Sequence, residues 1–186
     1  MVISNWPLTL EQFLALPEAE PALEYGPEGR VSQKVSPTTE HSIVQAEVVT
    51  RLNGYAIPRN LGRAFPELRV TLGGLSRVPD VAFYRQERLP RAPDGAWLRY
   101  PALPPDVVIE VASPDQARDE LLERCRWYIT QGTPLALLAD PVGRTVTVFE
   151  AGRSATLQGS DMLPLDDVLP GLSLTVAEVF RSLTVP

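Results

Sequence analysis

The spacing of apolar positions along the chain predicts two long helices and two short ones. In the segment 40–56 apolar residues recur every three to four positions, and Pro58 ends the pattern. A second long helix is predicted from Ser113 to about residue 131, because Ser113 and Gln116 fit a capping box and Gly132 is a typical stop signal. Shorter helices are expected at 10–16 and 176–183.

Segments of strand-like composition lie between these helices. Two of them, 67–72 and 77–84, flank Gly73-Gly74, which is a strong turn signal. The apolar run 106–112 predicts a strand with one charge inside it, whereas the polar and proline-rich segment 86–105 predicts a surface loop. The remaining expected strands form two hairpins, 23–25 with 30–35 and 135–139 with 145–150.

This order of elements predicts an α/β sandwich with a central mixed β-sheet. The strand–helix–strand unit 106–139 is expected to form a right-handed parallel crossover. A chain of 186 residues suits one domain, 1–186, with one substantial core.

Composition narrows the chemistry that the chain can perform. It has one cysteine, Cys125, and one histidine, His41, so it cannot form a disulfide within the chain or the usual zinc site of several Cys or His ligands. A metal site would therefore rest on carboxylates, which favours magnesium or manganese. The net charge of −6 argues against a broad basic surface for nucleic acid.

The apolar runs of the chain bear on its localisation. No apolar run is long enough to span a bilayer, and none follows a basic N-terminus as in a signal peptide. We therefore expect a cytoplasmic protein without membrane contact.

Two carboxylates interrupt apolar strand segments. Asp80 follows Pro79 within an otherwise apolar run, and Glu110 lies among valines and an isoleucine. A charge inside a strand is unfavourable unless it is paired or binds a metal. Two such acids on adjacent strands are able to hold a divalent cation together with a backbone carbonyl. The alternative is that each acid lies at a strand end, where it forms a salt bridge or caps a turn.

Short motifs follow one another in a fixed order over most of the chain. The central ones are Val78-Pro79-Asp80-Val81-Ala82-Phe83, Val108-Ile109-Glu110-Val111-Ala112-Ser113-Pro114, Tyr128, Gly132 and Asp140-Pro141. The outer ones are Glu24-Tyr25, Gly29, His41 at a helix start, and Leu169-Pro170-Gly171-Leu172. Together they resemble the Uma-type restriction endonuclease family, a bacterial branch of the PD-(D/E)XK nuclease superfamily.

The resemblance implies a restriction-endonuclease-like sandwich, with helices flanking the central mixed sheet and an N-terminal hairpin extension. It divides the chain into an N-terminal helix and hairpin extension at 1–37, a nuclease-like core at 38–150 and a C-terminal extension at 151–186.

The resemblance also implies that Asp80 and Glu110 match the metal-binding acids, with the backbone carbonyl of Val111 as a further ligand. One or two magnesium ions would then bind the scissile phosphate of a nucleic acid, with DNA expected, and lower the pKa of a bound water.

This sequence departs from the family's pattern at the lysine that accompanies the metal-binding acids. The superfamily's lysine position, two residues after the glutamate, is Ala112, and the position common in the Uma-type family, four residues before Tyr128, is Arg124. Arginine supplies fixed charge to a phosphate but accepts no proton near neutral pH. The alternative for Arg124 is a surface ion pair with Glu120.

Three further residues are candidates for the site. Glu24 and His41 match family positions, and Lys34 is the only lysine of the chain. Each also has a structural alternative: Lys34 as a charge on a surface strand, and His41 as part of the start of a helix.

The sequence thus predicts a metal-dependent endonuclease that hydrolyses phosphodiester bonds with Mg²⁺ or Mn²⁺. The alternative is a catalytically impaired protein of the same fold that binds nucleic acid or protein. Ala112, Arg124 and the acidic net charge favour this alternative. Cleavage of both DNA strands needs two active sites, so we expect a homo-oligomer, most simply a dimer.

Overall fold

The computed structural model describes residues 7–114 and 116–184. Its main elements are two β-sheets and two long helices. In chain order the elements are α1 Leu10–Leu14, β1 Leu23–Tyr25, β2 Val31–Gln33, α2 Thr39–Ala56, β3 Gly62–Pro66, β4 Val70–Leu72, β5 Leu75–Arg77, β6 Val81–Arg85, β7 Val107–Val111, α3 Arg118–Thr130, β8 Leu135–Asp140, β9 Thr145–Glu150, β10 Arg153–Gln158 and α4 Val176–Val179.

The larger sheet has six strands in the order β10-β9-β8-β7-β6-β3. β7 and β8 are parallel and the other neighbours are antiparallel, so the predicted central mixed sheet is confirmed. The smaller sheet has the order β2-β1-β5-β4 and contains the predicted N-terminal hairpin. The parallel pairing of the predicted crossover is present, while its handedness and the domain boundaries stay predictions.

Helices α2 and α3 cover opposite faces of the larger sheet. Val44, Val48 and Leu52 lie at four-residue spacing on α2 and pack against the odd-numbered residues of β7. Leu121, Cys125 and Tyr128 of α3 pack with Val108 on the other face. Because side chains alternate along a strand, Glu110 follows Val108 onto the α3 face.

The predicted strand 77–84 is wrong as a single element. Residues 78–80 interrupt it: β5 ends at Arg77 and pairs in the smaller sheet, and β6 begins at Val81 in the larger one. Pro79 explains the break, since proline has no N–H to donate to a ladder. Asp80 therefore lies where the chain passes from one sheet to the other.

Two strands were not predicted from the sequence. β3 is short and contains both a glycine and a proline, which weaken a strand pattern. The side chains of β10 are almost all exposed at the edge of the sheet, so they show no apolar alternation.

The second long helix was predicted to begin at Ser113, but it begins at Arg118. The Ser113 N–H donates to Gln116 Oε1 at 3.1 Å, which is one half of the predicted capping box. The Gln116 N–H bonds back to the Ser113 carbonyl at 3.0 Å, ahead of the helix. The Ser113 hydroxyl instead lies 3.1 Å from His41 Nδ1. The predicted stop at Gly132 is confirmed, with a positive φ of 95° directly after the helix.

Within residues 7–114 and 116–184, no helix combines the length and the apolar character that a membrane span requires.

Candidate metal centre

A cluster of charged side chains lies at the junction of the two sheets, on the side where β6 begins and β7 ends. Its members come from the N-terminal hairpin, from the two long helices and from the adjoining ends of β6 and β7, and together they comprise the six side chains that the sequence singled out. The cluster consists of Glu24, Lys34, His41, Asp80, Glu110 and Arg124.

The register of β6 and β7 places the two predicted metal-binding acids side by side. Val81 pairs with Ile109 in the antiparallel ladder, so Asp80 lies opposite Glu110 at the next position. Residues opposite each other on neighbouring strands face the same side of the sheet. The Asp80 carboxylate also accepts a 2.7 Å hydrogen bond from the N–H of Val111, which ties it to the backbone next to Glu110. The carbonyl of Val111 stays a predicted ligand.

Glu110 is a buried acid with an oxygen that no donor satisfies. Its side chain is 3% exposed, and Oε1 has no hydrogen-bond partner among the described residues. The nearest cation is Arg124, whose Nη1 lies 3.6 Å from this oxygen. Burial raises the pKa of Glu110 to about 8, opposed by the charge of Arg124 and reinforced by that of Asp80. Such an oxygen suits a cation ligand, because a bound cation would replace the missing donor and favour the ionised form.

Asp80 is held in its ionised form. Burial alone would raise its pKa, but the close approach of His41 and the charge and hydrogen bond of Lys34 lower it below its ordinary range. Lys34 Nζ lies 2.8 Å from Asp80 Oδ1, and His41 Nε2 lies 3.4 Å from the same oxygen. The two neighbouring acids thus have opposite tendencies: one ionises readily and the other resists ionisation.

Lys34 lies in the cluster and not on an exposed strand, which was the alternative that its position favoured. Its side chain is only 10% exposed, and its ammonium group also contacts Glu67 Oε2 at 2.8 Å. Burial lowers the pKa of Lys34, but the charges of Asp80, Glu110 and Glu67 outweigh it, so the pKa lies above its ordinary value. The only lysine of this chain is therefore charged and placed beside a candidate metal ligand.

Glu67 is a candidate that sequence reasoning missed. One ligand atom each from His41, Glu67 and Asp80 lies within 4.8 Å of the others, so these three side chains are able to share a cation. The hydrogen bond from the Glu67 N–H to the Asp80 carbonyl, at 3.2 Å, fixes this approach. The sequence offered only a weak signal, since Glu67 follows Pro66 and was assigned to a strand.

His41 is positioned by the start of α2. Thr38 caps the helix, and its hydroxyl accepts the His41 N–H at 3.2 Å. The ring lies between Asp80 on one side and the Ser113 hydroxyl on the other. The helix start and the site contact are therefore not alternatives, because the cap is what directs His41 into the cluster.

Arg124 points inward from α3. Its guanidinium forms two hydrogen bonds with Glu24, at 2.7 and 2.6 Å, and approaches Glu110. Of the two alternatives for Arg124, the structure has the side chain that points towards the site and not the surface ion pair with Glu120. Burial would raise the pKa of Glu24, but the charge and hydrogen bonds of Arg124 lower it below its ordinary value. Glu24 also accepts the N–H of Val78 at 2.8 Å, so it joins α3 to the segment just before Asp80.

Comparison with known proteins agrees with this architecture. Residues 10–177 match the model of the Uma2 family, described as "Putative restriction endonuclease". The chain is also similar to a "putative nuclease belonging to DUF820" from Anabaena variabilis, known from a crystal structure at 1.96 Å resolution. The two chains are 34% identical, the similarity covers 96% of this chain and 100% of the other, and the TM-score is 0.90. Among curated proteins, none matches this chain.

These matches confirm the family resemblance and the predicted fold class, and the matched segment contains the whole charged cluster. The chain belongs to the Uma2 family.

Proposed function

We propose that the protein is a metal-dependent endonuclease that hydrolyses phosphodiester bonds of nucleic acid, with DNA as the expected substrate. The observation that carries this proposal is the buried oxygen of Glu110, which has no hydrogen-bond partner within residues 7–114 and 116–184 and lies directly across the strand pair from ionised Asp80. Family membership and the putative nuclease among solved structures support the same conclusion.

The residues that would hold the cation are Asp80 and Glu110, with the Val111 carbonyl as the expected third ligand. An all-oxygen ligand set favours Mg²⁺ or Mn²⁺. When bound, such a cation supplies a Lewis acid for the phosphate and lowers the pKa of a coordinated water. His41 and Glu67, which share Asp80 as a neighbour, would hold a second cation if two are used.

Two cations of the chain are placed to stabilise negative charge that develops on the phosphate. Lys34 lies beside Asp80, and Arg124 lies beside Glu110. We propose that Lys34 performs the role that Ala112 cannot, although it comes from the N-terminal hairpin and not from β7. Arg124 supplies permanent charge and holds Glu24, so it contributes electrostatics and positioning without proton transfer.

One observation favours the alternative, a protein of this fold that binds without cleaving. Lys34 and Arg124 are both paired directly with acids of the cluster, so its charges are largely balanced among themselves. Incubation of supercoiled plasmid with Mg²⁺ or Mn²⁺, with and without a chelator, distinguishes the two functions. The endonuclease nicks the plasmid only with the metal, whereas the binding protein shifts its mobility in a gel and leaves it intact.

The proposed enzyme acts as a homodimer if it cuts both strands, since one site cuts one strand. Light scattering that gives only monomer at micromolar concentration would contradict this part of the proposal.

Replacement of Lys34 by glutamine tests its role in the site. We expect metal-dependent cleavage to fall roughly 100- to 1000-fold, which is typical for loss of one charged group that stabilises a transition state. We expect the affinity for Mn²⁺ to stay the same or to rise, because the ammonium group lies 2.8 Å from Asp80 and repels a cation there. Plasmid nicking and calorimetric titration measure the two effects.

Arg63→Gln is the matched control, since Arg63 is an exposed cation on β3 and its removal makes the same change in net charge. Unchanged cleavage in Lys34→Gln would show that Lys34 only neutralises Asp80. A loss of Mn²⁺ affinity would show that Lys34 supports the metal-binding geometry and does not compete with the ion.

A further inference from the structure

A cleft of about 800 Å³ opens next to the cluster, between the smaller sheet and the first turns of α3. Arg124 and Glu24 line it, so the cleft reaches the charged cluster from solvent. Arg77, at the end of β5, lines it as well. On the α3 side the exposed lining is acidic, with Asp119, Glu120 and Glu123, whereas exposed Arg30, which is paired with Glu28, lines the cleft from the N-terminal hairpin.

Arg77 is half-buried in this cleft, and no acid or acceptor fixes its Nε. That atom is buried and has no hydrogen-bond partner in the described segments of the chain. The guanidinium carbon instead lies 4.7 Å from the ring centroid of Trp127, so the group stacks on an aromatic face. A stacked guanidinium keeps its edge, with its N–H donors, free for another partner.

Arg77 is also close to a second cation. Burial is the main cause that lowers the pKa of Arg77, and the positive charge of Arg124 lowers it further. The charges of Glu24 and Glu110 raise this pKa but do not outweigh the other two causes. Arg124 already satisfies Glu24 through two hydrogen bonds. Two neighbouring guanidinium groups that line one cleft, only one of them matched by a carboxylate within the described residues, are suited to bind an anion.

We infer that the nucleic-acid strand whose scissile phosphate lies at Asp80 and Glu110 runs through this cleft. Arg77, stacked on Trp127, binds a neighbouring phosphate of the same strand. This inference depends on the proposed endonuclease function. Arg77 is thus a binding residue that is separate from the metal-binding acids, and it fixes which phosphate of the strand lies at them. The exposed acids of α3 would repel a strand on that side of the cleft, which leaves the part beside Arg77 as a favourable contact.

Fluorescence anisotropy with a labelled single-stranded DNA of roughly 12 nucleotides tests the inference. Calcium at constant concentration replaces magnesium so that binding is measured without cleavage. Arg77→Gln is expected to weaken binding ~10- to 100-fold, as loss of a charged hydrogen-bonding partner does. It is also expected to reduce the slope of log affinity against log salt by ~0.7, the value for one phosphate contact on a single strand.

Arg153→Gln is the matched control, because Arg153 is an exposed arginine on β10 and lines none of this cleft. It should bind DNA as the wild type does. If the wild type binds and cuts DNA and Arg77→Gln matches the control in affinity and slope, the inference is wrong and the proposed function stands. If the wild type neither binds nor cuts DNA, both are wrong.

Arg77→Lys separates charge from stacking and folding. If Arg77→Gln lowers the melting temperature relative to the control, the lysine variant decides the question. A wild-type salt slope with weaker affinity in Arg77→Lys supports a phosphate contact. A slope reduced to the same extent as in Arg77→Gln would contradict it, since the positive charge would then be irrelevant to binding.

Discussion

Glu110→Gln is expected to abolish metal-dependent cleavage without destabilising the protein. Glutamine keeps the shape of the side chain and removes the negative charge that a cation needs. Lewis-acid stabilisation by a bound cation is worth several kcal/mol, so the rate should fall about a thousandfold or more. The fold should not suffer, because the carboxylate is buried, has one oxygen without a hydrogen-bond partner in the described part of the chain, and is forced towards its neutral form.

The stability gain of Glu110→Gln should depend on pH in a defined direction. The pKa of Glu110 is about 8 in the folded protein, against an ordinary value of 4.5. Below pH 4.5 the residue is protonated in both the folded and the unfolded chain and contributes no difference. Between pH 4.5 and 8 only the unfolded chain ionises freely, so the wild type loses stability as pH rises. The advantage of the glutamine variant should therefore grow across this window, by on the order of a few kcal/mol.

Thermal unfolding at several pH values, together with plasmid nicking, measures both parts of this prediction. Glu150→Gln is the control, since it removes the same charge from β9, where Glu150 pairs with exposed Arg153. Cleavage by Glu110→Gln at the wild-type rate would remove Glu110 from the site. Clear destabilisation at neutral pH would show that its ionised carboxylate is a structural partner of Arg124.

Arg124→Ala is expected to cause the largest loss of stability among single changes in the cluster. The substitution removes both hydrogen bonds to buried Glu24 and the cation nearest to Glu110. Removal of one partner of a buried ion pair costs about 3–5 kcal/mol, because the remaining charge is left uncompensated. For a chain of this length that corresponds to a fall in melting temperature of roughly 6–20 °C.

A second change should recover much of that loss. In Arg124→Ala with Glu24→Gln, the uncompensated charge of Glu24 is gone, so the double variant should be more stable than Arg124→Ala alone. Arg118→Ala is the control on the same helix; its exposed pair with Asp140 should be worth less than about 1 kcal/mol. An Arg124→Ala variant as stable as this control would contradict the structural role of the pair with Glu24.

The sequence was sufficient for the parts of the site that depend on strand pattern. Asp80 and Glu110 stand out because each interrupts an apolar run, and the motifs around them also indicated the family. Arg124 was placed correctly on the helix after β7, although a surface position was an open alternative. These predictions need only local periodicity and the order of elements.

Sequence reasoning failed where the site depends on how distant segments approach one another. Lys34 and Glu67 are 33 positions apart and form an ion pair, which no local sequence pattern predicts. The chain changes sheets at residues 78–80, so a single apolar run becomes two strands with different neighbours. The helix start was misplaced because Ser113 contacts His41 from α2, and local capping signals do not include such a competitor.

Calorimetric titration with Mn²⁺ is the most direct test of the central claim, which is a divalent cation held between Asp80 and Glu110. We expect the wild type to bind Mn²⁺ and Glu110→Gln and Asp80→Asn each to weaken this binding at least ~100-fold, while Glu150→Gln should bind as the wild type does. Wild-type protein that binds no Mn²⁺, or a Glu110→Gln variant that binds it with undiminished affinity, would contradict a cation site between Asp80 and Glu110.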